Sequence, residues 1–329
     1  MTDDVVLAVE NLTTQFSLKA GTLIAVDDVS FLVRAGRVLC IVGESGSGKS
    51  VTARSILRLI DPPGRITSGR LKFRGRDLFE LDEKGMDAIR GDRLSMVFQN
   101  PMTSLNPAFS AGEQVAESIV QHRKVSWAEA RARAEELLEM VGIPDARRRY
   151  DDYPHQFSGG MRQRILIAAA IACSPDVLIA DEPTTALDVT IQAQILKLLK
   201  RLQDELHNAL ILITHDLGVV AVIADDVAVM YAGRIVEQAP VATLFNDPRH
   251  PYTQGLIAAM RSIEATGEPL AAIKGLPMVP INRPPGCSFA PRCNRKIDRC
   301  TMADPAIETI APGHTVACLR ARDTEGASP

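Results

Sequence analysis

Gly43-Glu44-Ser45-Gly46-Ser47-Gly48-Lys49-Ser50 has the spacing G-x-x-x-x-G-K-[ST] of a loop that grips phosphate. Its glycines let backbone N–H groups converge on phosphate oxygens with no Cβ in the way. A helix opening at the loop would present its positive end to the same anion. Lys49 can reach the β- and γ-phosphates of a nucleotide, and the Ser50 hydroxyl is an oxygen ligand of the kind Mg²⁺ takes. A second element, Val177-Leu178-Ile179-Ala180-Asp181-Glu182, is an apolar run that ends in two carboxylates. Asp181 stands where it can hold Mg²⁺, directly or through water, and Glu182 where it can polarise an attacking water as general base. His215 follows another apolar run, Leu210–Ile213. Strand ends of this kind line the ligand crevice of open α/β sheets, although a single histidine is more often structural.

Six cysteines are unevenly placed. Cys40 and Cys173 lie in apolar runs, while Cys287, Cys293, Cys300 and Cys318 form C-x5-C-x6-C-x17-C. Zinc knuckles use tighter pairs, four thiolates can also hold an iron–sulfur cluster, and soft sulfur suits either metal. The spacing alone leaves metal and no metal equally open. Nearby Arg283, Arg292, Arg295, Lys296 and Arg299 are expected to form a solvated face.

The elements that must position these groups follow from the apolar pattern. Val5–Val9, Ile24–Val26, Val29–Val33 and Val38–Val42 predict strands; the last enters the glycine loop, and Ser50–Ile60 has helical spacing. Strand, loop, helix is the order of an α/β fold. Asp61–Gly69 reads as a Pro/Gly turn region before strand-like Leu71–Phe73. Ser126 and Glu129 form a capping box, after which Ala130, Ala134, Leu137, Leu138 and Val141 share one helical face. Residues 100–160 thus form a small helical subdomain. Arg162–Cys173 continues as a helix stopped by Ser174-Pro175, followed by strands Val177–Ala180 and Leu210–Thr214 around a helix at 190–205. Val227–Tyr231 and Arg234–Gln238 turn at Ala232-Gly233. Prolines at 277, 280, 284 and 285 mark a change of texture, so a boundary is set near 262, and the final DTEGASP is expected to fray.

Length and composition bound the function. The chain has 329 residues, 46% hydrophobic, with a formal net charge of −3, which excludes global disorder and a protein built to coat nucleic acid. The longest apolar stretches, Ile165–Cys173 and Leu217–Ala224, fall well short of the roughly 18 residues of a spanning helix. The acidic start MTDDVV does not read as a signal peptide, so a cytoplasmic chain with reduced cysteines is expected.

Ser158-Gly159-Gly160-Met161-Arg162-Gln163 resembles the signature loop of ABC-type ATPases. The order of phosphate loop, Gln99, Ser158-Gly159-Gly160, Asp181-Glu182, Ala186-Leu187-Asp188 and His215 matches that family across residues 5–260. The resemblance implies a P-loop NTPase (RecA-like) α/β core with an antiparallel β subdomain and a helical signature subdomain. That ATPase domain would span 1–261, and an irregular cysteine-containing extension 262–329. It implies ATP and Mg²⁺, with Gly43, Ser45, Gly46, Ser47, Gly48, Lys49 and Ser50 on the phosphates and Phe16 stacking on adenine. Gln99 would contact Mg²⁺ or the attacking water, Asp188 would cross a dimer interface, and His215 would sense the γ-phosphate. Ser158, Gly159 and Gly160 would touch the nucleotide bound by a second ATPase, because the family pairs head to tail. Phe157 and Met161 stand where the family has Leu and Gln.

A narrower resemblance rests on Asn100-Pro101-Met102-Thr103-Ser104-Leu105-Asn106-Pro107, on Val189-Thr190 running into Gln192-Ala193-Gln194, and on His250-Pro251-Tyr252-Thr253. With Gly286-Cys287 and Pro291-Arg292-Cys293, these look like the ATPase subunits of dipeptide, oligopeptide and nickel importers. That likeness implies a peripheral subunit at the cytoplasmic face of the inner membrane. Its partners would be a second, paralogous ATPase, two transmembrane permease subunits and an extracytoplasmic binding protein, with no nucleic acid. It also implies a structural or regulatory [4Fe–4S] cluster on the four late cysteines. The rival readings are a soluble ABC ATPase of translation or DNA repair, and a non-hydrolytic scaffold whose metal tail does the work. A single phosphate loop, the short Gln99–Ser158 interval and the intact Lys49, Asp181 and Glu182 all disfavour them.

Overall fold

The computed structural model describes residues 4–185, 187–264, 273–283 and 285–323. Its elements begin with β1 (Val5–Leu18), β2 (Gly21–Arg34), β3 (Val38–Val42), α1 (Lys49–Ile56), β4 (Gly64–Phe73) and β5 (Arg76–Asp77). Then come α2 (Glu83–Asp87), β6 (Leu94–Val97), α3 (Pro101–Ser104), α4 (Ala111–Arg123), α5 (Trp127–Met140), α6 (Ala146–Arg149) and α7 (Gly159–Ile171). The chain continues through β7 (Val177–Asp181), α8 (Val189–Leu206), β8 (Ala209–Thr214), α9 (Leu217–Ile223), β9 (Asp226–Tyr231) and β10 (Arg234–Pro240). It ends with α10 (Val241–Asn246), α11 (Pro251–Glu264), α12 (Arg299–Met302), β11 (Glu308–Ala311) and β12 (His314–Val316). No helix among the described residues is long and apolar enough to cross a membrane.

Two compact units divide the chain. The first comprises Met1–Leu7, Leu32–Val38 and Lys72–Ile213. Here β6, β7 and β8 are parallel, with Met96 opposite Ile179 and Ile179 opposite Ile211. Every residue of β7 and β8 is buried, which is why both read as unbroken apolar runs rather than alternating ones. Ser/Glu capping boxes start the two longest helices of the 100–160 region. Ser126 and Glu129 open α5 as the sequence predicts, and Ser110 and Glu113 open α4 in the same way. The apolar face of α5 is buried at Ala130, Ala134, Leu137 and Leu138. On α4, Gly112 is required because a Cβ there would lie 2.1 Å from the Tyr150 ring.

The second unit comprises Ala8–Phe31, Leu39–Leu71 and Thr214–Pro329. The fully buried β3 runs parallel to β9, pairing Cys40 with Val227. β9 and β10 form the expected hairpin, and Ala232 and Gly233 both take positive φ (47° and 85°), as a two-residue hairpin turn requires. β10 then pairs with β12, setting Glu237 opposite Val316, and β12 pairs with β11. The C-terminal extension is therefore not wholly irregular: it contributes two strands that join β10.

Two further expectations need correction. The short runs at the N-terminus belong to two 14-residue strands. Asn11 and Asp28 interrupt the apolar pattern, yet both sit at positive φ and hydrogen-bond each other at 2.7 Å, so the strands continue through them. β4 starts at Gly64, inside the predicted turn, and its first half is largely exposed and so carries no apolar signal. Pro284, Ala186, the 262 boundary with the linker after it, and most of the terminal DTEGASP lie partly or wholly outside the described residues.

Candidate functional site

The phosphate loop belongs to the second unit and joins β3 to α1. Its glycines are required by geometry at two positions. A Cβ on Gly43 would lie 2.2 Å from the Met230 carbonyl oxygen, and one on Gly48 would lie 2.2 Å from that of Ala25. Gly48 also holds φ at +103°, a region L-residues rarely enter. Lys49 is only 4% exposed, and its Nζ donates to the carbonyls of Gly43 at 2.7 Å and Glu44 at 3.0 Å. That folds the lysine back over its own loop. Ser45 and Gly46 are exposed, whereas the Ser47 hydroxyl is buried without a hydrogen-bond partner. A buried hydroxyl without a partner in this loop fits a site that takes a polar ligand. Thr52 anchors the helix from within, with its Oγ1 on the Gly48 carbonyl at 3.0 Å.

In the same unit Phe16 is half-buried, and its ring lies against Gly64, where a Cβ would come within 2.5 Å of it. His215 is exposed just after β8, and the next residue, Asp216, caps α9 by accepting from Gly218 N–H at 2.8 Å.

The first unit holds the acidic pair. Asp181 ends β7 and is 2% exposed. Glu182 turns to φ +44°, an unusual conformation for a glutamate, while its N–H still donates to the Ile213 carbonyl at 3.0 Å. Its Oε2 accepts from Gln99 Nε2 at 2.8 Å and from Thr185 Oγ1 at 2.9 Å. The structure thus brings together Gln99 and Glu182, which sequence order alone could only align. Thr185 is the partner that sequence reasoning missed.

Ser158 caps α7, accepting from the Met161 N–H at 3.4 Å, and with Gly159 it is exposed at the opening of a 13-residue helix. Gly160 is crowded, since a Cβ would meet Ile191 at 2.7 Å. Phe157 is buried beneath the Arg149 guanidinium, 4.2 Å from its ring centroid, and the Met161 sulfur lies 3.7 Å from the same arginine. Both departures from the signature are therefore packing residues. Asp188 caps α8 through Ile191 N–H at 3.0 Å and is exposed. Ala186 of the same motif is outside the described residues.

All four late cysteines are free and line one cavity of about 20 Å³, shared with His250 and Phe289. Burial pushes the Cys287, Cys293 and Cys318 thiols up, and neighbouring thiols push them further. Backbone N–H groups oppose this: those of Phe289 and Ala290 at Cys287, of Arg295 at Cys293 and of Arg320 at Cys318. Amides aimed at sulfur suit thiolates. Even so, no group of three or more His, Cys, Asp or Glu among the described residues is spaced to hold a metal ion. The nearby cations are not all solvated as expected. Lys296 and Arg299 are exposed, but Arg283 is paired with Asp27 and Asp304, and Arg292 with Glu44.

With this geometry in place, comparison with known proteins decides the family. The ABC transporter family matches residues 26–185, and the oligopeptide/dipeptide transporter C-terminal region matches residues 236–300. The chain belongs to the ATP-binding subunits of ABC transporters. The oligopeptide transport ATP-binding protein AppD of Bacillus subtilis is 49% identical over 314 residues, covering 95% of this chain and 96% of that one. The dipeptide transport ATP-binding protein DppD of Escherichia coli is 48% identical over 320 residues, covering 97% and 98%. Among solved structures, the ATP-binding cassette MJ0796 bound to ADP and Pi superposes with a TM-score of 0.64 at 30% identity, over 71% of this chain and 98% of that one. The fold is that of the ABC ATPase cassette, and the enzyme class is ATPase. The soluble translation or repair alternative finds no support in these relatives.

Proposed function

We propose that this chain powers a di- or oligopeptide importer by binding and hydrolysing ATP at the cytoplasmic face of the membrane. Its partners are two permease subunits, a paralogous ATPase and an extracytoplasmic binding protein. The relatives' names supply the cargo class. The observation that carries the catalytic reading is Glu182, fixed at φ +44° with its carboxylate between Gln99 and Thr185.

In this reading Lys49 leaves the Gly43 and Glu44 carbonyls for the β- and γ-phosphates, and the loop amides and Ser47 hydroxyl take the remaining oxygens. Phe16 packs the adenine. Ser50, Asp181 and Gln99 supply the oxygen donors that Mg²⁺ favours, and Mg²⁺ when bound neutralises charge on the phosphates. Glu182 takes the proton of the attacking water as its oxygen bonds to the γ-phosphorus and the bond to the ADP oxygen breaks. His215 holds the γ-phosphate. Ser158, Gly159, Gly160 and Asp188 face the partner ATPase, a role that the exposure of Ser158, Gly159 and Asp188 permits. In the tail, Cys287, Cys293, Cys300 and Cys318 hold a [4Fe–4S] cluster. All four thiols line one cavity, and backbone N–H groups reach the sulfurs of Cys287, Cys293 and Cys318, a donor set of the kind that thiolate ligands take.

Affinity purification from membranes tests the assignment. Permease subunits and a second ATPase should accompany this chain; recovery with ribosomes or DNA instead would overturn it.

A further inference from the structure

Arg292 sits between Pro291 and Cys293 in the C-terminal extension, far along the chain from the phosphate loop, yet its side chain is only 4% exposed and ends on that loop. Its Nη1 donates to Glu44 Oε2 at 2.6 Å and its Nη2 to Glu44 Oε1 at 3.0 Å, a two-pronged pair. The rest of the guanidinium is also engaged. Nε donates to the Lys274 carbonyl at 3.1 Å and Nη2 to that of Ile273 at 3.2 Å. Its carbon lies 5.8 Å from the Tyr231 ring centroid and 6.0 Å from that of Phe289. A second tether reaches the same loop residue, because Glu44 N–H donates to the Tyr252 hydroxyl at 2.9 Å. Tyr252 is fully buried and packs against Tyr231 and Phe289 at centroid distances of 4.8 and 5.4 Å.

Glu44 is the loop's second residue, and its carbonyl accepts from Ser47 N–H within the loop. Whatever fixes Glu44 therefore fixes the start of the phosphate cradle. A lysine at 292 could not make the same contacts, since an ammonium has no planar fork to span two carboxylate oxygens and two carbonyls.

We infer that Arg292 is a positioning residue of the nucleotide site, holding the phosphate loop in its binding shape through Glu44, so that the C-terminal extension is part of the ATPase machinery. The inference rests on the reading that this loop binds ATP. Without the fork the loop samples other shapes, and apparent affinity falls by the fraction that remains competent. A competent fraction of about one tenth raises the Kd about tenfold.

The test is MgATP binding to full-length protein by a fluorescent ATP analogue, for wild type, Arg292→Gln, Arg292→Lys, Glu44→Gln and the Arg292→Gln/Glu44→Gln pair, with thermal unfolding measured alongside. Each single variant should weaken binding about tenfold, and the pair should be no weaker than either alone, because both remove one interaction. Arg292→Lys should not restore affinity. If Arg292 only anchors the tail, unfolding temperature falls while the Kd stays at the wild-type value, and the inference is wrong. Additive losses in the pair also overturn it. A wild-type chain that binds no ATP overturns both this inference and the functional reading beneath it.

Discussion

Glu237 lies in β10, is completely buried, and is a point where the C-terminal extension is fastened to β10. Its Oε1 accepts from Arg249 N–H at 2.7 Å and faces His314 Nε2 at 2.8 Å, while Oε2 accepts from His250 N–H at 2.9 Å. His250 is itself buried, which holds its pKa down to about 4, so its ring is neutral and its Nδ1 accepts from Tyr252 N–H at 3.0 Å. Glu237→Ala strands two backbone donors and the His314 ring in a dry interior. Each orphaned buried group costs about 1–3 kcal/mol. Three groups lose their partner and part of the loss is recovered by relaxation, so the expected loss is about 4 kcal/mol for local opening. Hydrogen exchange read by mass spectrometry on peptides spanning β10, β11 and β12 is the direct assay, since it reports the opening of this sheet rather than of the whole chain. Protection there should fall about a thousandfold, at about 1.4 kcal/mol per decade. Glu237→Gln keeps one acceptor oxygen and should fall between. A loss of less than tenfold in Glu237→Ala would show that the three donors find other partners, and the fastening role would be refuted.

Glu182→Gln should abolish ATP turnover at this chain's site while ATP binding persists, measured by phosphate release and nucleotide retention; wild-type turnover would remove Glu182 as the base. Gly48→Ala places a methyl 2.2 Å from the Ala25 carbonyl at φ +103° and should lower ATP affinity by more than tenfold in the same binding assay. Protein purified without oxygen should be brown and absorb visible light, losing both on iron chelation. Colourless protein with stoichiometric zinc would reject the cluster.

Much of the site was legible because its chemistry depends on local spacing. The phosphate loop, the Asp181-Glu182 strand end and the Ser158-Gly159-Gly160 turn each lie within a few contiguous residues; the loop follows the predicted β3 and the acidic pair closes the predicted β7, while α7 opens at Gly159, ahead of the predicted start at Arg162. The α5 capping box and its buried face were readable for the same reason. What escaped depends on contacts between distant residues. Nothing near Arg292 announces Glu44, so the arginine read as part of a solvated face, and nothing near Glu237 announces His314. Asn11 and Asp28 looked like strand breaks because their mutual hydrogen bond crosses between two strands. β11 is short and largely exposed and β12 has only three residues, which leaves little alternation to read.

We propose that two ATPases close around ATP, each lending its Ser158-Gly159-Gly160 turn to the other's phosphate loop. Sedimentation of Glu182→Gln protein with its co-purified ATPase partner, with and without MgATP, tests it directly. ATP should drive pairing that a bulky Ser158→Arg change abolishes while ATP binding to the separate chain is retained. Mass unchanged by ATP, or pairing indifferent to Ser158→Arg, would contradict it.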